Sequence, residues 1–205
     1  MLESQIRPHF IFNILELVNM RCLASGQDDI CHIVSNLAQL LRANIVHKNH
    51  QTITFEDELR YTRYYLELQK ERFEDKLSYT IDLEDPLILK YYLPKLTIQP
   101  LVENSIVHGL ENRREGGSVN ISIWEEVDSV CVQIVDNGIG FDTSSIDWED
   151  SAPDRKDLSH NHVALQNINR RIQLLYGELY RMTLHSVPGE GTSIMLTFPV
   201  NTELN

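Results

Sequence analysis

Val135-Asp136-Asn137-Gly138-Ile139-Gly140-Phe141-Asp142 is the stretch on which the reading of this chain turns. An apolar, β-branched run feeds it directly, Val130-Cys131-Val132-Gln133-Ile134-Val135, and its alternation predicts a strand. The Asp-x-Gly-x-Gly turn therefore stands at a strand end. A carboxylate there can accept a hydrogen bond from a ligand amine. Two glycines allow positive φ and a close backbone approach to a flat ring. Asp-Asn-Gly also marks plain β-hairpins, so the turn alone leaves both readings open.

Two further segments bear on the choice. Upstream, Gln99-Pro100-Leu101-Val102-Glu103-Asn104-Ser105-Ile106-Val107-His108-Gly109 reads as a helix. Ile98, Leu101, Ser105 and Leu110 fall on one stripe, while Asn104 and His108, at i and i+4, share another face. The carboxamide oxygen of Asn104 suits a hard cation such as Mg²⁺, which keeps most of its waters and bridges phosphates. The same residues also fit the polar face of a buried helix stopped by Gly109. Downstream, Pro188-Gly189-Glu190-Gly191-Thr192 separates two apolar runs and by itself reads as a hairpin loop.

In this order the three segments resemble the nucleotide site of the ATPase superfamily that unites gyrase, the Hsp-type chaperones, histidine kinases and the mismatch-repair ATPases. The resemblance implies ATP and Mg²⁺ as cofactors. It implies Asp136 on the adenine amino group, Asn104 on the metal and Thr192 behind the base. His108, Gly138, Gly140, Asn167, Arg171, Gly189 and Gly191 complete the implied ATP site.

The opening of the chain narrows the family. Gln5-Ile6-Arg7-Pro8-His9-Phe10-Ile11-Phe12-Asn13 resembles the phosphoacceptor motif of LytS/YesM-type sensor histidine kinases, Gln-Ile-Asn-Pro-His-Phe-[Leu/Ile]-Phe-Asn, and departs from it only at Arg7. A neutral imidazole nitrogen at His9 can attack phosphorus near neutral pH, and Asn13 lies one helical turn on. From the residues alone, Pro8 could merely start a helix and leave His9 exposed. The resemblance implies a protein histidine kinase that phosphorylates itself on His9 and passes the phosphoryl group to an aspartate of a response regulator. It also implies a homodimer. Glu103 is the candidate general base. Full-length members carry transmembrane sensing segments. The expectation is therefore the cytoplasmic portion of a membrane protein, tied to the membrane only through segments outside this chain.

Composition sets outer bounds. The 205 residues, 42% apolar, fit one large or two small domains with a real core. No run of about 18 apolar residues predicts a transmembrane helix. Cys22, Cys31 and Cys131 show no paired spacing, which fits a reducing compartment and neither a disulfide framework nor a zinc site. A net charge of −12 without a basic stripe argues against nucleic acid as a partner. It also means that an anionic nucleotide needs Mg²⁺ and local N–H donors to offset repulsion.

Along the chain, residues 1–75 read as helices at about 2–24, 29–48 and 54–73. Thr54-Phe55-Glu56-Asp57 is a capping-box-like start for the third. From Lys76 the period changes to two. Strands are expected at 77–83, 119–124, 130–135, 182–187 and 194–198, with helices at about 95–110 and 162–177. The expected fold is α+β: an N-terminal helical dimerisation and phosphoacceptor region, 1–75, then an α/β sandwich ATP-binding domain, 76–205.

Residues 142–162 are polar, carry Arg155 and Lys156, and match an ATP lid by position. After it, the family's Gly-Ile-Gly-Leu-x-Asn stands here as His162-Val163-Ala164-Leu165-Gln166-Asn167, with Asn161 a possible N-cap. Losing both glycines puts γ-phosphate positioning in question. The alternative is a degenerate kinase that binds nucleotide or a partner with weak transfer. The His9 motif argues against a chaperone or topoisomerase module. P-loop and Ser/Thr-kinase motifs are absent.

Overall fold

A computed structural model describes residues 8–46, 51–111, 113, 115–143 and 160–202 of the chain. Helices α1 (Pro8–Ala24) and α2 (Asp28–Val46) form an αα-hairpin that turns at Gly26, φ +67°, where Gln27 N–H donates to the Cys22 carbonyl at 3.0 Å. Helix α3 (Phe55–Phe73) starts where the sequence predicts: Thr54 Oγ1 accepts from Asp57 N–H at 3.1 Å. Its first turn holds Glu56, Asp57 and Glu58, and its last holds Lys70 and Arg72, both matched to the helix dipole.

Two short strands, β1 (Thr52–Thr54) and β3 (Tyr92–Pro94), pair antiparallel and hold the start of α3 to the loop before the next helix. The main sheet has five strands: β2 (Leu77–Leu83), β4 (Gly117–Glu126), β5 (Ser129–Asp136), β6 (Met182–Val187) and β7 (Gly191–Pro199). Their order is β2-β4-β5-β7-β6. Only β2 and β4 run parallel; the other neighbours are antiparallel. Alternate residues of the strands, such as Val119, Ile121 and Ile123, or Ile194, Leu196 and Phe198, point into one core with α3, α4 (Ile98–Asn104) and α5 (His160–Tyr176). The fold is the expected α+β arrangement of helices followed by a helix-covered sheet.

The segment after Asp85 is a short 3₁₀ turn, Pro86–Lys90, capped by the Asp85 carboxylate accepting from Leu87 N–H at 2.8 Å. One detail differs from the expectation. Helix α5 begins at His160, so Asn161 lies inside its first turn and is not the N-cap. The change of period near residue 75 does not divide the core. Phe55, Leu59, Tyr65 and Leu66 of α3 are buried together with the sheet, and the Phe55 ring stands edge-on to Phe198 of β7 at 6.0 Å. Most of the expected lid, residues 144–159 with Arg155 and Lys156, lies outside the described residues. Among the described residues no helix is long and apolar enough to cross a membrane.

Phe55→Ala should therefore cost about 3–5 kcal/mol in urea unfolding of the sheet-containing part, as a large buried aromatic does. A loss below about 1 kcal/mol would show that α3 is not part of that core.

Candidate nucleotide site

The site is built where α4, β5 and the β6–β7 turn converge. After Asn104 the helix widens into a π-turn, Ser105–Leu110, in which Glu111 N–H donates to the Ile106 carbonyl at 2.9 Å. That widening brings Gly109 against the turn that follows β5. A Cβ on Gly138 would lie 2.6 Å from the Gly109 backbone, and one on Gly109 would lie 2.9 Å from Asp136 Oδ1. Ile139 N–H donates to the Gly109 carbonyl at 2.9 Å and completes the contact.

The β6–β7 turn closes the other side. Gly189 N–H donates to the Ile139 carbonyl at 2.6 Å. Ser186 Oγ accepts from Phe141 N–H at 2.9 Å, donates to the Gly191 carbonyl at 3.0 Å and lies 3.0 Å from Thr192 Oγ1. A Cβ on Gly140, φ +57°, would lie 2.0 Å from the Val187 carbonyl oxygen. One on Gly191, φ +113°, would lie 2.1 Å from the Asp136 carbonyl oxygen. Asp136 faces Thr192 in the β5–β7 register. Thus 188–192 is a hairpin loop and is also fastened to the Asp-x-Gly-x-Gly turn.

Of the two glycines in that turn, only Gly140 has positive φ. At Gly138 the sequence argument from φ fails, and close approach to Gly109 is what excludes a side chain.

Asp136 is 3% exposed. Burial pushes its carboxyl above the usual aspartate range, while the Gly138 and Thr192 amides and the Ser105 hydroxyl pull it back. Gly138 N–H donates to Oδ1 at 2.9 Å. Asn104 is half-buried, and its Nδ2 is buried with no hydrogen-bond partner. Its side-chain nitrogen is therefore a donor that the fold does not use. No cluster of three His, Cys, Asp or Glu that could hold a metal occurs among the described residues. The side-chain oxygen of Asn104 is of the kind that would suit Mg²⁺, which takes few protein ligands and keeps phosphate and water as the others.

Several expected residues are not drawn together with Asp136. The π-turn breaks the i, i+4 stacking expected of Asn104 and His108, and the His108 side chain is exposed. Arg171 lies at the opposite end of α4. Its guanidinium donates to the Leu96 carbonyl and to Thr97 Oγ1, both at 2.8 Å, which argues against a phosphate contact. Asn167 is exposed on α5. Glu103 is exposed; the Tyr65 hydroxyl on α3 is raised above its usual range by burial and, second, by the charge of Glu103. The His9 backbone is in the first turn of α1. Both replaced glycine positions, His162 and Ala164, have helical backbone in α5, a conformation that needs no glycine.

Sequence reasoning missed Ser186 and the structural part of Gly109. For Ser186 the signal was present: it shares the inward parity of β6 with Met182, where a hydroxyl needs a partner.

Residues 1–77 match the family described as histidine kinase, and residues 93–202 match the family of histidine kinase-, DNA gyrase B-, and HSP90-like ATPases. The sensor histidine kinase YesM of Bacillus subtilis strain 168 is 34% identical over 203 residues, covering 99% of this chain and 33% of that protein. The sensor protein LytS of Oceanobacillus iheyensis is 33% identical over 199 residues, covering 97% of this chain and 34% of that protein. The histidine kinase domain of the blue-light activated histidine kinase of Erythrobacter litoralis EL346 shares the fold with a TM-score of 0.54 at 11% identity, covering 95% of this chain and 94% of that one. The chain spans about a third of the length of these curated relatives. It belongs to the family of histidine kinase-, DNA gyrase B- and HSP90-like ATPases. Within that family it is similar to the YesM and LytS sensor kinases, the type that the opening motif resembles.

Two substitutions probe the site. Gly138→Ala should destabilise by about 1–3 kcal/mol, read by chemical unfolding, because its methyl has no room against Gly109. Asp136→Asn should raise Tm at pH 7. With the folded pKa above the ordinary 3.8, folding favours the neutral acid, and that contribution is lost as pH rises through the folded value. The gain should shrink as pH falls toward 3.8, and a constant gain across pH would contradict the burial argument.

Proposed function

We propose that this chain is the kinase portion of a two-component sensor histidine kinase. Residues 1–75 would serve as the dimerisation and phosphoacceptor region and 76–205 as the ATP-binding region, with α3 of the first docked into the core of the second. The observation that carries the reading is the buried Asp136 carboxylate at the end of β5, enclosed by glycine turns and bonded by Ser105, the residue that follows Asn104. A carboxylate so placed accepts a hydrogen bond from the exocyclic amine of adenine, and Thr192 backs the base. Asn104 holds Mg²⁺, which when bound neutralises charge on the phosphates. Gly140, Gly189 and Gly191 line the approach. Transfer joins a ring nitrogen of His9 to the γ-phosphorus as the bond to the bridging oxygen breaks and ADP leaves. Glu103, exposed beside Asn104, is our assignment for the proton acceptor. The phosphoryl group then moves to an aspartate of a response regulator.

The helical hairpin supports a homodimer. Phe10 is 60% exposed, Met20 60% and Leu23 59%, and Ile14, Leu17 and Ile30 are exposed as well. A second copy would cover them as a four-helix bundle. We place the membrane attachment of such a kinase in segments outside these residues.

Incubation with Mg²⁺ and γ-labelled ATP should give an acid-labile, base-stable label on the wild type and none on His9→Ala. Equal label on both would remove His9 as the acceptor. Leu17→Glu should shift the sedimentation of the protein from dimer to monomer.

A further inference from the structure

Helix α4 starts without the cap its own sequence offers. Thr97 precedes it, yet the Thr97 hydroxyl donates to the Pro94 carbonyl at 2.6 Å and caps nothing. The acceptor comes from another helix. Glu58 of α3, 1% exposed, takes four backbone N–H groups: Leu96 on Oε2 at 3.0 Å, and Thr97, Ile98 and Gln99 on Oε1 at 2.7, 2.8 and 3.3 Å. Arg171 of α5 grips the same loop through the Leu96 carbonyl and Thr97 Oγ1; burial lowers the pKa of its guanidinium, and the charge of Glu58 opposes that. Between them, Leu96 sits at φ +54°, a left-handed conformation that a branched side chain disfavours. Such a residue persists only where its surroundings over-determine it. Here one side chain holds its N–H and the other its carbonyl.

We propose that Glu58 and Arg171 are positioning residues of the nucleotide site. Together they fix the strained 96–99 loop, and so set the position of α4 and with it Asn104, Ser105 and Gly109 against Asp136. Neither touches the nucleotide. They act through α4, whose continuation carries all the groups that meet Asp136 from that side. The proposal rests on the reading of Asp136 and Asn104 as an ATP site. It assigns Arg171 to the helix start, away from the phosphates.

The test uses Glu58→Gln, Arg171→Met and Leu96→Gly. In Glu58→Gln an amide nitrogen replaces one oxygen and turns a donor toward donors. Affinity for Mg²⁺·ATP, measured by calorimetry well below each variant's Tm, should fall about tenfold in Glu58→Gln and in Arg171→Met. Adding Leu96→Gly to either should recover most of that loss, because glycine adopts positive φ unaided. A merely structural role would lower Tm and leave the affinity of the folded protein alone. Affinities within twofold of wild type, or no recovery with Leu96→Gly, would overturn the proposal. Should Glu58→Gln not fold, Arg171→Met with and without Leu96→Gly decides the same question. Hydrogen exchange separates this proposal from the ATP reading. If the wild type binds no nucleotide, the ATP reading fails. Faster exchange of the 96–99 and 105–109 amides in the variants would still support positioning, and unchanged exchange would reject it.

Discussion

The contact between the backbones of Gly109 and Gly138 is the constraint on which the site depends. The Gly109 backbone leaves no space for a side chain on Gly138, and Asp136 Oδ1 leaves little for one on Gly109, so the end of a helix and the turn after a central strand meet without a side chain from either glycine. A regular α-helix would carry Gly109 past that point. The π-turn from Ser105 to Leu110 adds backbone within one turn and swings the Gly109 carbonyl onto Ile139 N–H. Once those two segments are joined, Asp136 is enclosed. The third segment follows because Gly140 and Gly191 can approach the β6–β7 turn and the Asp136 backbone only without a Cβ.

The chain is strongly acidic, yet among the described residues it buries two carboxylates, and their surroundings separate their roles. Glu58 receives four amides and lies near a guanidinium, so its capacity to accept hydrogen bonds is spent within the protein. Burial still pushes its carboxyl up against those amides. Asp136 receives two amides and one hydroxyl and has no cation among its electrostatic neighbours in the described residues. It retains room for one more donor, the place that the proposed function gives to the amine of a flat base. Of two residues of similar burial, one is a structural cap and the other is left able to accept. The difference lies in how many donors the fold aims at each.

The sequence was legible where one local pattern dictates one local geometry. Alternation placed all five strands of the main sheet within a few residues, and Thr54 capped α3 as its spacing implies. The convergence of Asp136, Gly189–Thr192 and the Asn104 helix was legible only through their order along the chain, since each alone has an ordinary reading. Features that depend on contacts between distant segments were not legible. Nothing in Gly138 distinguishes a positive φ from a close neighbour. A π-turn has no period that six residues can display. Strands of three residues, β1 and β3, are too short to alternate. Arg171 sits at a position the family pattern includes, but its burial near Glu58 commits it to the Leu96 carbonyl.

Helix α3 gives the molecule its connection. In sequence it belongs with the helices that precede it, and it packs against α2. In the core it belongs with the sheet, through Phe55, Leu59 and Leu66. Its buried carboxylate then reaches the start of α4. The helix pair that carries His9 is therefore linked to the nucleotide-site helix by packed side chains and by a charged, fully bonded joint, as well as by the chain. A rigid element with one face in each layer cannot shift against α2 without also moving or releasing the loop that Glu58 holds. Close packing makes small displacements costly, so a change at the helical hairpin is transmitted to α4 or is resisted by the whole core.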